Sequence, residues 1–142
     1  MTRHSAHYIA GVASRAGFTG HAVTEAVAIA LHVSQGDDAY DHIYSTDPLV
    51  QHRGLFALDV ATFAPNDPHM LFDPRYSAEK LYQLYRTKHS KWPRPWSDTE
   101  ALQAPLLNEV QYLIQSRTAS KPLEPPSKLA DMAYHQRYLN GR

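Results

Sequence analysis

The clearest absence in this sequence of 142 residues is cysteine, of which there is none. The chain therefore has no disulfide framework, no thiolate metal site and no cysteine nucleophile. Neither sign of charge is in excess, because 14 lysines and arginines balance 14 aspartates and glutamates. A neutral chain argues against a whole-chain electrostatic grip on nucleic acid or on an anionic membrane. We expect neither among its partners.

Long apolar runs are also lacking. No stretch approaches the roughly 20 residues that cross a bilayer, and the first residues do not lead into the apolar segment of a secretory signal. The length is typical of one domain, and 43% hydrophobic residues suffice for one core. We expect a protein that folds in the cytoplasm without a signal peptide.

Histidine is plentiful, with nine residues, but the spacings of known metal sites do not occur. His4 and His7 lie three residues apart, and there is no His-Glu-x-x-His motif. The chain also lacks a Gly-x-Ser-x-Gly elbow and a glycine-rich phosphate loop. We expect no metal and no cofactor, while the sequence leaves open a serine–histidine–aspartate arrangement assembled by the fold.

Apolar periodicity predicts two helices near the start of the chain. Residues 4–16 carry a helical apolar stripe that ends at Gly17, a residue suited to the left-handed conformation of a helix end. Residues 21–34 are apolar nearly all round, which is typical of a buried helix. Thr19 is the predicted N-cap of this second helix.

Turn-forming residues dominate positions 35–68. Within them, residues 54–60 are a short apolar run that fits either a strand or one helical turn. Asp73 and Pro74 have the pattern of an N-cap followed by a proline in the first turn, and predict a helix that runs to about Lys88. Four of its side chains should be buried: Tyr76, Leu81, Leu84 and Tyr85.

A cluster of cations and tryptophans follows this helix. It consists of Arg86, Lys88, Lys91, Trp92, Arg94 and Trp96. Such a cluster could stack bases or sugars, but the favoured interpretation places the tryptophans in the core and the cations on a solvated face.

The last third of the sequence contains one more helix and a proline-rich linker. Ser97 and Glu100 have capping-box spacing, and Pro105 implies a single turn there followed by a new helix over 105–117. Prolines keep 121–126 extended, which separates a domain, 1–117, from a C-terminal arm, 118–142. The arm is too short for its own core, and its candidate partner-binding residues are Leu129, Met132, Tyr134 and Tyr138.

Three segments carry a family resemblance. They are AGFTGHAVTEAVAIAL at 16–31, HRGLFALD at 52–59 and FDPRYSAEKLYQLY at 72–85, followed by Trp96-Ser97. In order and spacing they resemble the opening helix, the cleft-lining RGLWQIN segment, the FDP-x-x-N-A helix and the closing W-S/T of lysozyme-like transglycosylase domains of actinobacteria and their phages. The resemblance covers 16–97. It implies a mostly α fold, a lysozyme-like helical domain with a short β/turn region, here with an extended C-terminal arm.

The resemblance fails at the residues that carry the family's chemistry. After Ala-Ile-Ala-Leu the family has Ala-Glu-Ser-Gly-Gly, whose glutamate is its general acid, and this chain has Val33 there. Glycoside cleavage needs a carboxylic acid that holds its proton beside the leaving oxygen. The resemblance therefore implies a degenerate cleft. Its residues are Ser34, Gly54, Phe56, Ala57 and Asp59, of which the last three stand in place of tryptophan, glutamine and asparagine.

Other carboxyl groups are poor replacements for the acid. Glu25 lies on the same helix, about 12 Å from Val33 at a rise of roughly 1.5 Å per residue. Asp37 and Asp38 follow the helix end and Asp59 lies in the cleft segment, where turn and cap roles are favoured. We predict no catalytic residue, with these three aspartates as weak substitutes.

These expectations describe a catalytically degenerate domain that acts as a structural or interaction protein. The family occurs in phage tail proteins, which by analogy implies a virion component such as a tail, connector or capsid-associated subunit. Its partners would be other virion proteins or copies of itself, bound through the C-terminal arm, with glycan as a further candidate. Two alternatives stay open: an active peptidoglycan muramidase with a relocated acid, and a glycan-binding module that does not cleave.

Overall fold

A computed structural model of the chain describes residues 3–43, 51–89, 91–92, 96 and 100–115. Its α-helices are α1 (Ala6–Ala16), α2 (His21–Ser34), α3 (Val60–Phe63), α4 (Pro74–Thr87) and α5 (Ala104–Gln115). Its strands are β1 (Asp41–Ile43), β2 (Gln51–Arg53) and β3 (Leu58–Asp59), and 3-10 turns cover Pro68–Phe72 and Glu100–Leu102. The expectation of a mostly α fold with a short β region is confirmed.

Local signals account for the first two helices. Ser5 caps α1 by accepting the N–H of Tyr8, and Gly17 ends it at φ +128°. A Cβ at Gly17 would lie 2.5 Å from the ring of Tyr82, so this helix end also needs glycine for the close packing of α4. The prediction of Thr19 as N-cap was wrong. The N-cap of α2 is Gly20, which has a positive φ of 57° and no side chain to offer.

The core is built around α2, which packs against α1 and α5. Its residues from Ala26 to Ser34 are all buried, as the nearly uninterrupted apolar pattern predicted. Ile9 of α1 and Val110 of α5 are 0% and 1% exposed, respectively, so both neighbouring helices contribute to the same core. Because this part of α2 is buried on every side, it forms the centre of the domain.

A three-stranded antiparallel sheet in the order β1-β2-β3 lies between α2 and α4 in the chain. Asp41 pairs with Arg53 across the first two strands, and His52 pairs with Asp59 across the second two. The segment 54–60 was left open between strand and helical turn, and it contains both. A turn at 54–57 leads into the two residues of β3, and α3 begins at Val60.

The capping signal for α4 was read correctly. The Asp73 carboxylate accepts the N–H of Arg75 at 3.0 Å, and Pro74 occupies the first helical position. Leu81 is fully buried. The other three side chains expected in the core are only partly buried: Tyr76, Leu84 and Tyr85.

Both tryptophans lie in the core, which confirms that part of the favoured interpretation of the aromatic and cationic cluster. Trp92 is 9% and Trp96 is 6% exposed. The ring centroid of Trp92 lies 4.5 Å from that of Tyr85 and 5.6 Å from that of Phe18. Trp92 therefore packs between α4 and the connection from α1 to α2.

The last described helix, α5, covers most of the predicted 105–117, and the single turn expected before it is the 3-10 turn at Glu100–Leu102. Ser97 of the predicted capping box and the arm at 118–142 lie outside the described residues. Within the described part of the chain, no helix combines the length and the apolar character needed to cross a membrane.

Candidate functional site

The candidate site begins where α2 ends. Val33, the residue predicted to stand at the acid position, is 1% exposed, and Ser34 beside it is also buried. The Ser34 hydroxyl lies 2.6 Å from the carbonyl oxygen of Leu55 and 2.9 Å from that of Ala30, and shares its hydrogen between them. This contact joins the end of α2 to the cleft segment, 54–59. The isopropyl group of Val33 can neither hold nor transfer a proton. Proton transfer at this position would therefore need a neighbouring side chain.

Gly54 fixes the position of the start of the cleft segment. Its φ is +83°, and a Cβ there would overlap the carbonyl oxygen of Leu71. Its N–H donates to the Tyr40 carbonyl oxygen at 2.8 Å. Phe56 is 0% exposed and Ala57 is buried at a φ of +52°. Neither side chain presents a face on which a sugar ring could stack.

The two aspartates that follow α2 are engaged within the loop. Asp37, itself buried, accepts the backbone N–H of Ala39 at 2.9 Å, which is an Asx-type turn. Asp38 lies with its Oδ2 2.8 Å from Nε2 of His4, whose ring stacks on Tyr8. The Asp37 carboxylate therefore stabilises the turn of the loop, and the Asp38 carboxylate fastens the loop to the N-terminal segment.

An N-terminal segment that the sequence reasoning missed holds the same loop. Arg3 forms an antiparallel bridge with Asp37, and the N–H of His4 donates to the Gly36 carbonyl oxygen at 2.9 Å. A Cβ on Gly36, whose φ is +80°, would lie 2.8 Å from the carbonyl oxygen of His4. The paired positions are more than 30 residues apart, so no local pattern could have indicated this contact.

Asp59, the third weak substitute, is also hydrogen-bonded. Its Oδ2 accepts the hydroxyl hydrogen of Thr62 at 2.6 Å, at the start of α3. The sheet register places it beside His52, which in turn lies beside His42. In the part of the chain that is described, histidine, aspartate and glutamate side chains form no group of three able to hold a metal ion.

The opposite face of the sheet carries an ion pair centred on Arg53. Its Nε lies 3.2 Å from Oδ1 of Asp41, and its guanidinium carbon lies 5.0 Å from the ring centroid of Phe72. Arg53 is 9% exposed, and the neighbouring Gln51 on this face is 6% exposed. The Arg-Gly-Leu motif was the sequence signal for this position, but only the register shows that its arginine braces β1 and the Pro68–Phe72 turn.

Ser34 joins the cleft segment through its hydrogen bond to the Leu55 carbonyl oxygen. Gly54, Phe56 and Ala57 lie in that segment, next to Leu55 in the chain. Asp59 lies at the far end of that segment. The candidate partner-binding residues Leu129, Met132, Tyr134 and Tyr138, and Arg94 of the cationic cluster, lie outside the described residues.

Comparison with known protein families decides what kind of domain this is. The family described as a lysozyme-like domain matches residues 10–98, which is more than half of the chain. The chain belongs to the lysozyme-like domain family. Neither a curated protein nor a solved structure matches it.

The match confirms the lysozyme-like part of the resemblance that the three segments indicated. Its range contains all of α2, the three strands and α4, so the end of α2 and the cleft segment both lie inside the domain. The N-terminal contact made by Arg3 and His4 and the helix α5 lie outside the matched range. These are additions that pack on the lysozyme-like fold.

Proposed function

We propose that this lysozyme-like domain is catalytically degenerate and acts as a structural or interaction module. The observation that carries the proposal is the side chain at the end of α2. Val33 is apolar and 1% exposed, and the adjacent Ser34 ties it directly to the cleft segment through Leu55. A general acid contributes about 10²–10⁴ in rate, and no group replaces it at this position.

The contacts of the neighbouring carboxylates support the same proposal. Asp37 accepts a backbone N–H, Asp38 faces His4, and Asp59 accepts the hydroxyl of Thr62. A general acid has to lie beside the leaving oxygen with its proton free for transfer. Carboxylates that accept hydrogen bonds in turns and from neighbouring side chains are poorly placed for that task.

We further propose that the domain is a component of a phage virion, such as a tail, connector or capsid-associated subunit. Support comes from the analogy with phage tail proteins that carry lysozyme-like domains. In this proposal the chain folds in the host cytoplasm and reaches the virion through its C-terminal arm, which binds other virion proteins or further copies of the chain. Co-purification of the full chain with assembled particles is the expected result, and a free monomer that joins no assembly would contradict it.

A second candidate function is peptidoglycan cleavage with a relocated acid. Membership of the lysozyme-like family favours it, because the family's characteristic chemistry is glycoside cleavage. Asp59 is the strongest substitute, because it is partly exposed and lies in the cleft segment. A glycan-binding module without cleavage is less favoured, because Phe56 and Ala57 are buried, and measurable binding of a chitooligosaccharide would restore it.

Clearing of actinobacterial cell walls, followed as loss of turbidity, tests the proposal. The native chain is compared with V33E and with the neutral, similarly sized V33Q, after circular dichroism has shown that each variant is folded. We expect no clearing by the native chain or V33Q. Clearing by V33E alone would show that the cleft is intact and that the native chain lacks cleavage activity only because it lacks this proton donor.

Clearing by the native chain would overturn the proposal. The relocated acid would then be identified by D59N, with D37N and D38N as parallel variants. Loss of clearing in only one of them would assign the acid, and retention in all three would place it elsewhere in the chain.

A further inference from the structure

Two residues that precede α1, Arg3 and His4, lie along the loop that follows α2, residues 35–38. Arg3 forms an antiparallel bridge with Asp37. The N–H of His4 donates to the carbonyl oxygen of Gly36, which is buried, at 2.9 Å. Arg3 and His4 are called the strap below, because their backbone crosses the loop at its middle two positions.

The side chains of the strap hold the two outer positions of the loop. The guanidinium of Arg3 donates to the side-chain oxygen of Gln35 at 3.0 Å, and Nε2 of His4 lies 2.8 Å from Oδ2 of Asp38. The ring of His4 also stacks on that of Tyr8, with 4.1 Å between the centroids, which joins the strap to α1. The strap therefore contacts the loop at all four of its residues.

The backbone of the loop needs this restraint. Gln35 ends α2 at a φ of +57°, and Gly36 follows at +80°. Glycine adopts such angles freely, whereas a residue with a side chain does so at a cost. The contacts of the strap with Gln35 and Gly36 thus act where the intrinsic preference of the backbone for this path is weakest.

The loop is hydrogen-bonded in turn to the start of the cleft segment, by two routes. On the first, the Asp37 N–H donates to the Ser34 carbonyl oxygen at 3.0 Å, and the Ser34 hydroxyl donates to that of Leu55 at 2.6 Å. On the second, the Tyr40 N–H donates to the Asp37 carbonyl oxygen at 3.3 Å, and the Gly54 N–H donates to that of Tyr40 at 2.8 Å. Both routes pass through Asp37, so its displacement disturbs both.

The strap itself is outside the core. Arg3 is exposed and His4 is partly buried, and the described core residues begin at Ala6. The strap also precedes the range 10–98 that the lysozyme-like family matches, whereas the loop lies inside it. Segments with few buried apolar contacts open at a lower free energy than the core does. The strap can therefore leave the loop while the helices stay folded.

We propose that the strap is a conformational device that controls the opening of the cleft segment. While the strap is in place, the loop and Gly54 are held together, and when the strap leaves, both open as one unit. A partner that binds the released strap more tightly than the docked one shifts this equilibrium by the difference in affinity. Only that last step rests on the proposed interaction role. The opening itself is independent of glycan cleavage, so its test and the wall-clearing assay fail independently.

Amide hydrogen exchange of the full chain, followed residue by residue by NMR, tests the device. The variant R3A/H4A removes both side-chain contacts of the strap and leaves its backbone pairing to hold the loop alone. The matched control H7A/R15A removes the same two residue types from exposed positions of α1, where His7 contacts the Ile114 carbonyl oxygen and not the loop.

The expected result is faster exchange at two amides that are distant in the chain. In R3A/H4A the amides of Asp37 and Gly54 should exchange at least about tenfold faster than in the native chain, by a similar factor at both. The amide of Leu81, in the buried face of α4, should change by less than about twofold. The control variant should leave all three amides within about twofold of the native rates.

Three results would overturn the proposal. Unchanged exchange at Asp37 and Gly54 would show that the loop holds its shape without the strap. Faster exchange at Asp37 alone would show that the loop does not transmit the release to the cleft segment. An equal increase at Leu81 would show that the strap contributes only to the stability of the whole domain.

Discussion

At the scale of single residues, the surroundings of position 33 decide what an acid would do there. Val33 is 1% exposed, so a glutamate would have to be buried with its charge removed from water. Burial would raise the pKa of this introduced carboxyl above the value of about 4.3 in the unfolded chain. The folded state would then bind more protons than the unfolded state between the two pKa values, and V33E would lose stability as the pH rises through that range.

We therefore expect V33E to be less stable than V33Q at pH 7, by up to about 3.7 kcal/mol, and nearly as stable as V33Q at pH 4. Urea denaturation at both pH values measures the difference. V33Q has a similar size and no charge, so it removes the contribution of packing. Equal stability of the two variants at pH 7 would mean that position 33 opens to water.

Gly54 is the second residue whose surroundings predict a large effect. It combines a φ of +83° with direct approach to the Leu71 carbonyl oxygen, so G54A should cost about 3 kcal/mol. Gly20 is the control for backbone strain alone, because its φ is +57° and nothing lies within 4 Å of an added Cβ. G20A should cost about 1–3 kcal/mol for its unfavourable backbone (φ +57°, ψ −133°), and should lose less stability than G54A. Equal losses in thermal or urea denaturation would contradict the close packing of the cleft segment on the Pro68–Phe72 turn.

At the scale of elements, the capping of α4 leads to a prediction for which the chain also offers a control residue. The Asp73 side chain accepts the N–H of Arg75, whereas Asp67, which precedes a proline in the same way, makes no capping hydrogen bond. D73A should lower the free energy of unfolding by about 1 kcal/mol. D67A should change it by less than about 0.5 kcal/mol. A loss for D67A as large as that for D73A would show that both effects arise from charge and not from capping.

The same elements show what the sequence could predict. The helices α1, α2 and α4 have long periodic stripes and caps within a few residues, so local patterns were enough to find them. The strands have two or three residues each, too few for a period, and their pairing depends on partners such as Asp41 and Arg53 that are distant in the chain. The caps were harder, because Thr19 and Gly20 both suit the position, and only the backbone conformation separates them.

For the candidate site too, some features could be predicted from the sequence and others could not. The junction of α2 with the segment 54–59 was predictable, because the family motif places the two segments in one cleft. Its burial was not, because the exposure of Val33 depends on packing from the whole domain. The contacts of His4 with Asp38 and of Arg53 with Phe72 were missed for the same reason, since each joins residues that are 19 or more positions apart.

At the scale of the whole molecule, the predicted domain boundary at residue 117 can be tested by truncation. The described core residues run from Ala6 to Val110, and α5 ends at Gln115. If the arm at 118–142 serves partners and not the core, a chain of residues 1–117 should keep its melting temperature within about 3 °C, a change of less than about 1 kcal/mol. The same truncation should abolish assembly with virion proteins or with further copies of the chain.

Calorimetry and sedimentation velocity on the full chain and on residues 1–117 measure the two effects separately. A fall in melting temperature of more than about 10 °C would show that the arm completes the core, and the boundary at 117 would be wrong. Unchanged stability with unchanged assembly would remove the arm from the interface and leave the partner to bind the domain itself. Unchanged stability with lost assembly is the expected outcome, because the described core residues, from Ala6 to Val110, all precede the predicted boundary.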